Sequence, residues 1–271
     1  RENPDAYLKM MPSINLLQQN SDKSLLYAGG DNARARKHSV DAILNDSKLS
    51  SREKLKEGLE KVLAGMKEYS SDDREKIILE TIIHDITNTD IQEVIADDPK
   101  MRNMFYDSLN RRLDHFREMC GDALEKSDTM RTEFNNVASY WRENTYPPDT
   151  RNPLYSQANV NANFSKCERP EAERFLPKPV REMIASQPIE PAGINAIKKY
   201  GPAICPIQVF SYQDKLVAIN NRMTLAHELA GQTPLRLIPV IPKKAELGRM
   251  KKPGMPSDER PKYDKNIPRK V

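Results

Sequence analysis

Apolar residues recur at three- and four-residue spacings from Leu55 to Trp141, and that period stops at Tyr146-Pro147-Pro148-Asp149. A chain whose period changes this way builds helices first and a different element afterwards. Ser50-Ser51 can cap a helix carrying Leu55, Leu59, Val62, Leu63 and Met66 on one face. Asp72-Asp73 can cap the next, with Ile77, Ile78, Ile82 and Ile83 on its buried side. A third helix is predicted over about 100–126, with Met104, Phe105, Leu109, Leu113, Phe116 and Leu124 turned inward. A fourth, over about 129–143, carries Met130, Phe134, Val137 and Trp141. These methionines and aromatics fall at core spacing, and an antiparallel helical bundle is the natural way to pack them. The prolines then forbid helix continuation.

The stretch from Pro206 to Val240 follows another pattern. Ile207 and Val209 alternate with polar residues, Gln213-Asp214 marks a turn, and Leu216-Val217-Ala218-Ile219 supplies a second strand. A polar elbow, Asn220-Asn221-Arg222, opens a short amphipathic helix that stops at Gly231. A third apolar run, Leu235, Leu237, Ile238 and Val240, closes the unit. This order places backbone N–H groups and an arginine at a helix N-terminus, an end suited to holding phosphate. The expected fold class is therefore α+β. Its expected parts are a helical domain over 1–145, a Pro/Asn-rich linker or wrapped extension over 146–191, an α/β unit over 192–243 and a basic Pro/Lys-rich tail over 244–271. From Lys243 to Lys270 the chain holds ten Lys or Arg against four Asp or Glu, with so little apolar content that an extended tail is expected.

The chain has 271 residues, room for one large or two modest domains. It begins at Arg1 rather than Met, so a piece of a longer chain is expected. A net charge of +4 is too small to establish nucleic-acid binding by itself. No apolar run approaches the roughly 18 residues of a membrane span, and no signal peptide is visible. Cys120, Cys167 and Cys205 are far apart and odd in number, so they make neither a metal spacing nor a disulfide framework, and a reducing compartment is the simpler reading. Gly29-Gly30 reads as a turn, because no Gly-Lys-Ser or Gly-Lys-Thr follows.

Arg222 is the first candidate site residue, a guanidinium beside a helix N-terminus; the plain alternative is a surface arginine paired with Glu228 or the chain terminus. Asn220 and Asn221 are expected to contact the phosphate, to shape the turn, or to do both, since asparagine tolerates left-handed backbone and caps helices. His227, one turn into the helix, is the candidate proton-transfer residue; the alternative is a packing histidine. Glu228 alone makes no metal site, and adjacent helix positions diverge by about 100°, so neither His84 with Asp85 nor His115 with Asp114 is expected to converge on one. No metal ligand is therefore assigned. A divalent metal remains compatible with phosphate chemistry, and no cofactor is identified. The basic tail could track a nucleic-acid backbone, although Tyr263 is its one aromatic.

The Pro206–Val240 segment resembles the core of the ParB N-terminal domain and sulfiredoxin superfamily. There a "PI.V" strand leads through "Y.LV.G" into "GERRLRAAKLAG" and then a "VPV" strand. Arg222 falls on the first arginine, and Ala226, Leu229, Ala230 and Gly231 fall on the matching small and apolar positions. Asn220, Asn221 and Met223 stand where the pattern has glycine, glutamate and the second arginine. The resemblance covers about residues 200–243. It implies an elbow that binds nucleotide or nucleic-acid phosphate, as in the superfamily's DNA clamps, sulfinic acid reductases and nucleases. A helical region ahead of a small C-terminal unit is also similar to bacterial delivered toxins and effectors. The expected function is then a nuclease-like effector acting on nucleic acid or nucleotide, with an inhibitor (immunity) or delivery protein as a further partner. It would reside in the producing cell's cytoplasm or be delivered into a target cell's cytoplasm. The alternative is a non-enzymatic interaction domain whose helical bundle binds a partner. Whether the chain is an enzyme stays open between the two.

Overall fold

Residues 39–69, 72–143, 151–164 and 175–264 of a computed structural model are described. Gly29-Gly30, Pro147-Pro148, Cys167 and residues 265–271 lie outside them. The first half is helical: α1 is Val40–Asn45, α2 Ser51–Tyr69, α3 Asp73–Thr87, α4 Thr89–Asp97, α5 Pro99–Met119, α6 Gly121–Glu125 and α7 Asp128–Glu143. The caps read from sequence close these ends. The Ser50 N–H and hydroxyl donate to Glu53 Oε2 at 2.8 and 2.6 Å, while the Glu53 N–H donates to Ser50 Oγ at 3.3 Å. Asp72 Oδ1 accepts the Arg74 N–H at 2.8 Å. Helix α4 was not expected. It sits between Asn88, which accepts the Ile91 N–H at 3.2 Å, and Asp98, which caps α5 ahead of Pro99. Its inward residues, Ile91 and Ile95, make too short a stripe among carboxylates to register as a period.

Helix α2 packs across α3 and α7. A Cβ on Gly58 would meet Val137 Cγ2 at 2.7 Å, whereas one on Gly65 would have Met130 Sδ at 3.9 Å as its nearest neighbour. Gly58→Ala is therefore expected to lose roughly 1–2 kcal/mol through overpacking. Gly65→Ala is expected to gain up to about 1 kcal/mol from helix propensity. Thermal melts of the two variants should move in opposite directions.

The second half contains β1 (Leu154–Tyr155), β2 (Asn159–Asn161), β3 (Ile207–Tyr212), β4 (Lys215–Ala218), β5 (Leu237–Pro239) and β6 (Lys262–Asp264). Its helices are α8 (Lys178–Ile184), α9 (Ile194–Tyr200), α10 (Asn221–Leu229) and α11 (Lys244–Met250). The main sheet runs β1-β4-β3-β5. Strands β3 and β4 form a hairpin from Val209↔Ala218 to Tyr212↔Lys215. Its turn residues Gln213 and Asp214 both have positive φ, 49° and 63°, which matches the twist of a two-residue hairpin. Strand β5 returns through α10 to lie parallel to β3, with Ile207 opposite Leu237. The architecture is α+β as expected, but two segments differ from their sequence reading. Residues 146–191 are not a plain linker, because they supply β1 at the sheet edge, β2 and α8. The tail is not extended throughout: α11 folds back beside the sheet, and β6 pairs in parallel with β2.

One buried cluster runs through both halves, taking Leu55, Phe105 and Phe116 from the helices and Ile184, Ile197 and Val209 from the α/β part. The expected separation into two domains is thus replaced by a common core. A buried ionic knot spans the joint. Asp85 on α3 accepts from Arg112 Nη1 on α5 at 2.7 Å and from Arg236 Nε and Nη2, just before β5, at 2.8 and 2.7 Å. Arg112 also reaches Thr81 Oγ1 at 2.8 Å, and Arg236 Nη1 donates to the Phe175 and Ile204 carbonyls at 2.7 and 2.9 Å. Burial works against the Asp85 charge, but Arg236 and Arg112 outweigh it and hold the carboxyl well below the usual range. Burial pulls Arg112 down to about 10, opposed by Asp85, so it stays a cation at neutral pH. His84 Nδ1 lies 3.1 Å from Asp85 Oδ1, so these neighbours do meet, on a carboxylate already committed to two arginines. Beside the knot, the Ser108 hydroxyl donates to the Leu235 carbonyl at 2.6 Å and accepts the Leu237 N–H at 3.1 Å, stitching α5 to β5.

Candidate functional site

The elbow between β4 and α10 is shaped by its own asparagines. Asn220 Oδ1 accepts the Gln208 N–H at 2.9 Å, and its Nδ2 donates to the Pro206 carbonyl at 3.0 Å. Asn221 is buried; its Oδ1 accepts the Ser156 N–H at 2.7 Å, while Nδ2 donates to Ser156 Oγ and the Ile219 carbonyl at 2.7 and 3.2 Å. Both side-chain amides are thus committed to holding the elbow against β3 and the segment after β1. The backbone groups at this end are the first N–H groups of α10, which lack intrahelical partners by geometry.

These elements open onto a cavity of about 530 Å³. Arg222 from α10 and Lys243 and Arg249 from the α11 region bring three basic side chains to its wall. Asp90 and Glu93 of α4, with Glu246 of α11, supply three carboxylates. Phe164, Phe175, Leu176 and Ile184 give it an apolar side. Arg222 is half-buried, and its Nη1 donates to the Asn163 carbonyl at 2.6 Å, which fixes the direction of the guanidinium. Cavity volume and mixed lining are those of a small-molecule site. Because α4 forms one wall, the helical half is part of the site rather than a separate module.

His227 is not brought to this cavity. It is 1% exposed, Nε2 lies 3.1 Å from the Cys205 carbonyl, and the residue is not among those lining the cavity. Burial pulls its pKa down to about 4, only partly offset by backbone hydrogen bonds. The expected proton-transfer role is therefore corrected: the imidazole is a buried core group that does not line the cavity. Cys205 is equally inert, its thiol pushed up to about 12 by burial. Glu228 does not pair with Arg222. It accepts from Tyr155 Oη at 2.5 Å and from Arg260 Nε at 2.8 Å, tying α10 to β1 and the tail. Among the described residues no group of three His, Cys, Asp or Glu side chains could hold a metal ion, and no helix is long and apolar enough to cross a membrane.

Sequence reasoning missed Lys243, Arg249, Asp90, Glu93 and Glu246, which come to the cavity from elements read as tail or left unread. It also passed over Arg236, although a single charge inside the apolar run Leu235–Val240 is a legible sign of a buried ionic partner. No family model, curated protein or solved structure matches this chain.

Proposed function

We propose that the elbow cavity binds the phosphate of a nucleotide or of a nucleic-acid end, and that any nuclease-like effector activity works from there. The observation that carries this reading is the convergence of Arg222, Lys243 and Arg249 with the N-terminus of α10 on one cavity. The basic groups would bind the phosphate and stabilise charge on it. With His227 in the core, a proton-transfer group would have to be one of the cavity carboxylates, Asp90, Glu93 or Glu246. Delivery into a target cell and an inhibitor partner belong to the same reading and rest on the order of parts along the sequence.

Arg222→Ala removes a charge-assisted contact of roughly 1.5–3 kcal/mol. Affinity for a nucleoside triphosphate or a 5′-phosphorylated oligonucleotide should fall by one to two orders of magnitude. Because Arg222 also holds the Asn163 carbonyl, a melt should accompany the titration. Equal affinity for a folded variant and the parent would sink the phosphate reading.

A further inference from the structure

Beyond Ile241 the elbow cavity adjoins a second groove of about 450 Å³, and Glu93, Val94, Val240 and Ile241 line both. The charge balance differs between them: the elbow cavity sets three basic side chains against three carboxylates, whereas the groove carries carboxylates without basic partners. The outer groove is lined by Glu93, Asp97 and Asp98, with no basic side chain among its described lining residues. Asp98 spends its carboxylate on the α5 N-terminus, accepting the Lys100 and Met101 N–H groups. Glu93 and Asp97 are exposed and have no ion-pair partner among the described residues. Beside them Ile241 is 72% exposed, the most exposed large hydrophobic side chain of the described residues.

Among the described residues the groove also has an open strand edge. Strand β5 accompanies β3 only from Ile207↔Leu237 to Val209↔Pro239, and the Val240 N–H donates to the Val209 carbonyl at 2.9 Å. By the two-residue period, the next backbone groups of β3 facing that side belong to Ser211, which lines the groove beyond the end of β5. Pro242 has no N–H with which this chain could continue the pairing.

We propose that this outer groove docks an extended basic segment of a partner protein. Its main chain would pair at Ser211, an aliphatic side chain would cover Ile241, and lysine or arginine would face Glu93 and Asp97. A nucleic-acid strand fits poorly, because its evenly spaced phosphates would meet the carboxylates. The proposal does not rest on the phosphate reading of the elbow. Asp97 lines the outer groove alone, and Arg222 lines the elbow cavity alone.

The test uses the full chain and three fluorescent probes: a short capped peptide alternating lysine with valine, its glutamate–valine counterpart, and oligothymidylate. The lysine–valine peptide should bind saturably and weaken with salt. Ile241→Ser should weaken it roughly tenfold. Asp97→Lys should lower its affinity and raise that of the glutamate–valine peptide, while Glu60→Ala, an exposed change on α2 outside both linings, leaves both unchanged. These substitutions fall at exposed or half-buried side chains, and melts establish that each variant is folded. No saturable binding of the lysine–valine peptide, affinity unmoved by Ile241→Ser and Asp97→Lys, or displacement of the peptide by oligothymidylate would each overturn the proposal.

Discussion

Asp85→Asn is expected to cost about 3–5 kcal/mol of folding stability, the penalty for leaving buried charge without its partner. Asp85 is fully buried, and it is the carboxylate that both Arg112 and Arg236 share. An asparagine keeps the volume and some hydrogen bonds but removes the counter-charge, so two guanidinium groups would face each other in the core. At the scaling of a chain this size, the melting temperature should drop by roughly 5–10 °C. Urea unfolding of parent and variant measures the difference directly. A loss below about 1 kcal/mol would place the knot on a par with an exposed pair. Arg236→Met is expected to be no milder, because it also leaves the Phe175 and Ile204 carbonyls without their donor.

The second large effect is a pH dependence centred on His227. Burial holds the folded imidazole at about 4, below its value of 6.5 in an unfolded chain. Between those values the unfolded chain binds the extra proton, so stability is complete above about pH 6.5 and declines as the pH falls toward 4. The full interval corresponds to roughly 3 kcal/mol. His227→Gln can still donate to the Cys205 carbonyl but does not titrate. Carboxylates titrate in the same range in both proteins, so the difference between parent and variant isolates the imidazole. Parallel stability profiles from about pH 7 to pH 4 would show that His227 gains its proton without cost and is not the buried neutral group seen here.

Much of this fold can be read from local pattern. The caps at Ser50 and Asp72, the stripes on α2, α3 and α7, the hairpin turn at Gln213-Asp214 and the stop at Gly231 all rest on interactions within a few residues. What could not be read depends on pairing over long sequence distances. Strand β1 is two residues long and becomes a strand by lying beside β4. Helix α11 looks like tail composition until the cavity wall it completes is seen. For the site, the elbow and Arg222 were visible because the arrangement is continuous in sequence. The reading of His227 failed because a helix position says which face a residue takes only when the surroundings of the helix are known. Here α10 is enclosed so fully that six of its nine residues are buried, His227 among them.

The ionic knot also sets how this chain can be divided. Residues 192–243 look like a movable cassette, because the elbow, its helix and its strands are contiguous. Excised, that stretch would carry Arg236 without Asp85 and would lose Ser108 from the start of β5. It would also leave behind Asp90 and Glu93, which complete the cavity wall. Transplanting the elbow into another scaffold therefore requires bringing α3, α4 and α5 with it, so the smallest portable form of the site is discontinuous in sequence and takes in part of the helical half.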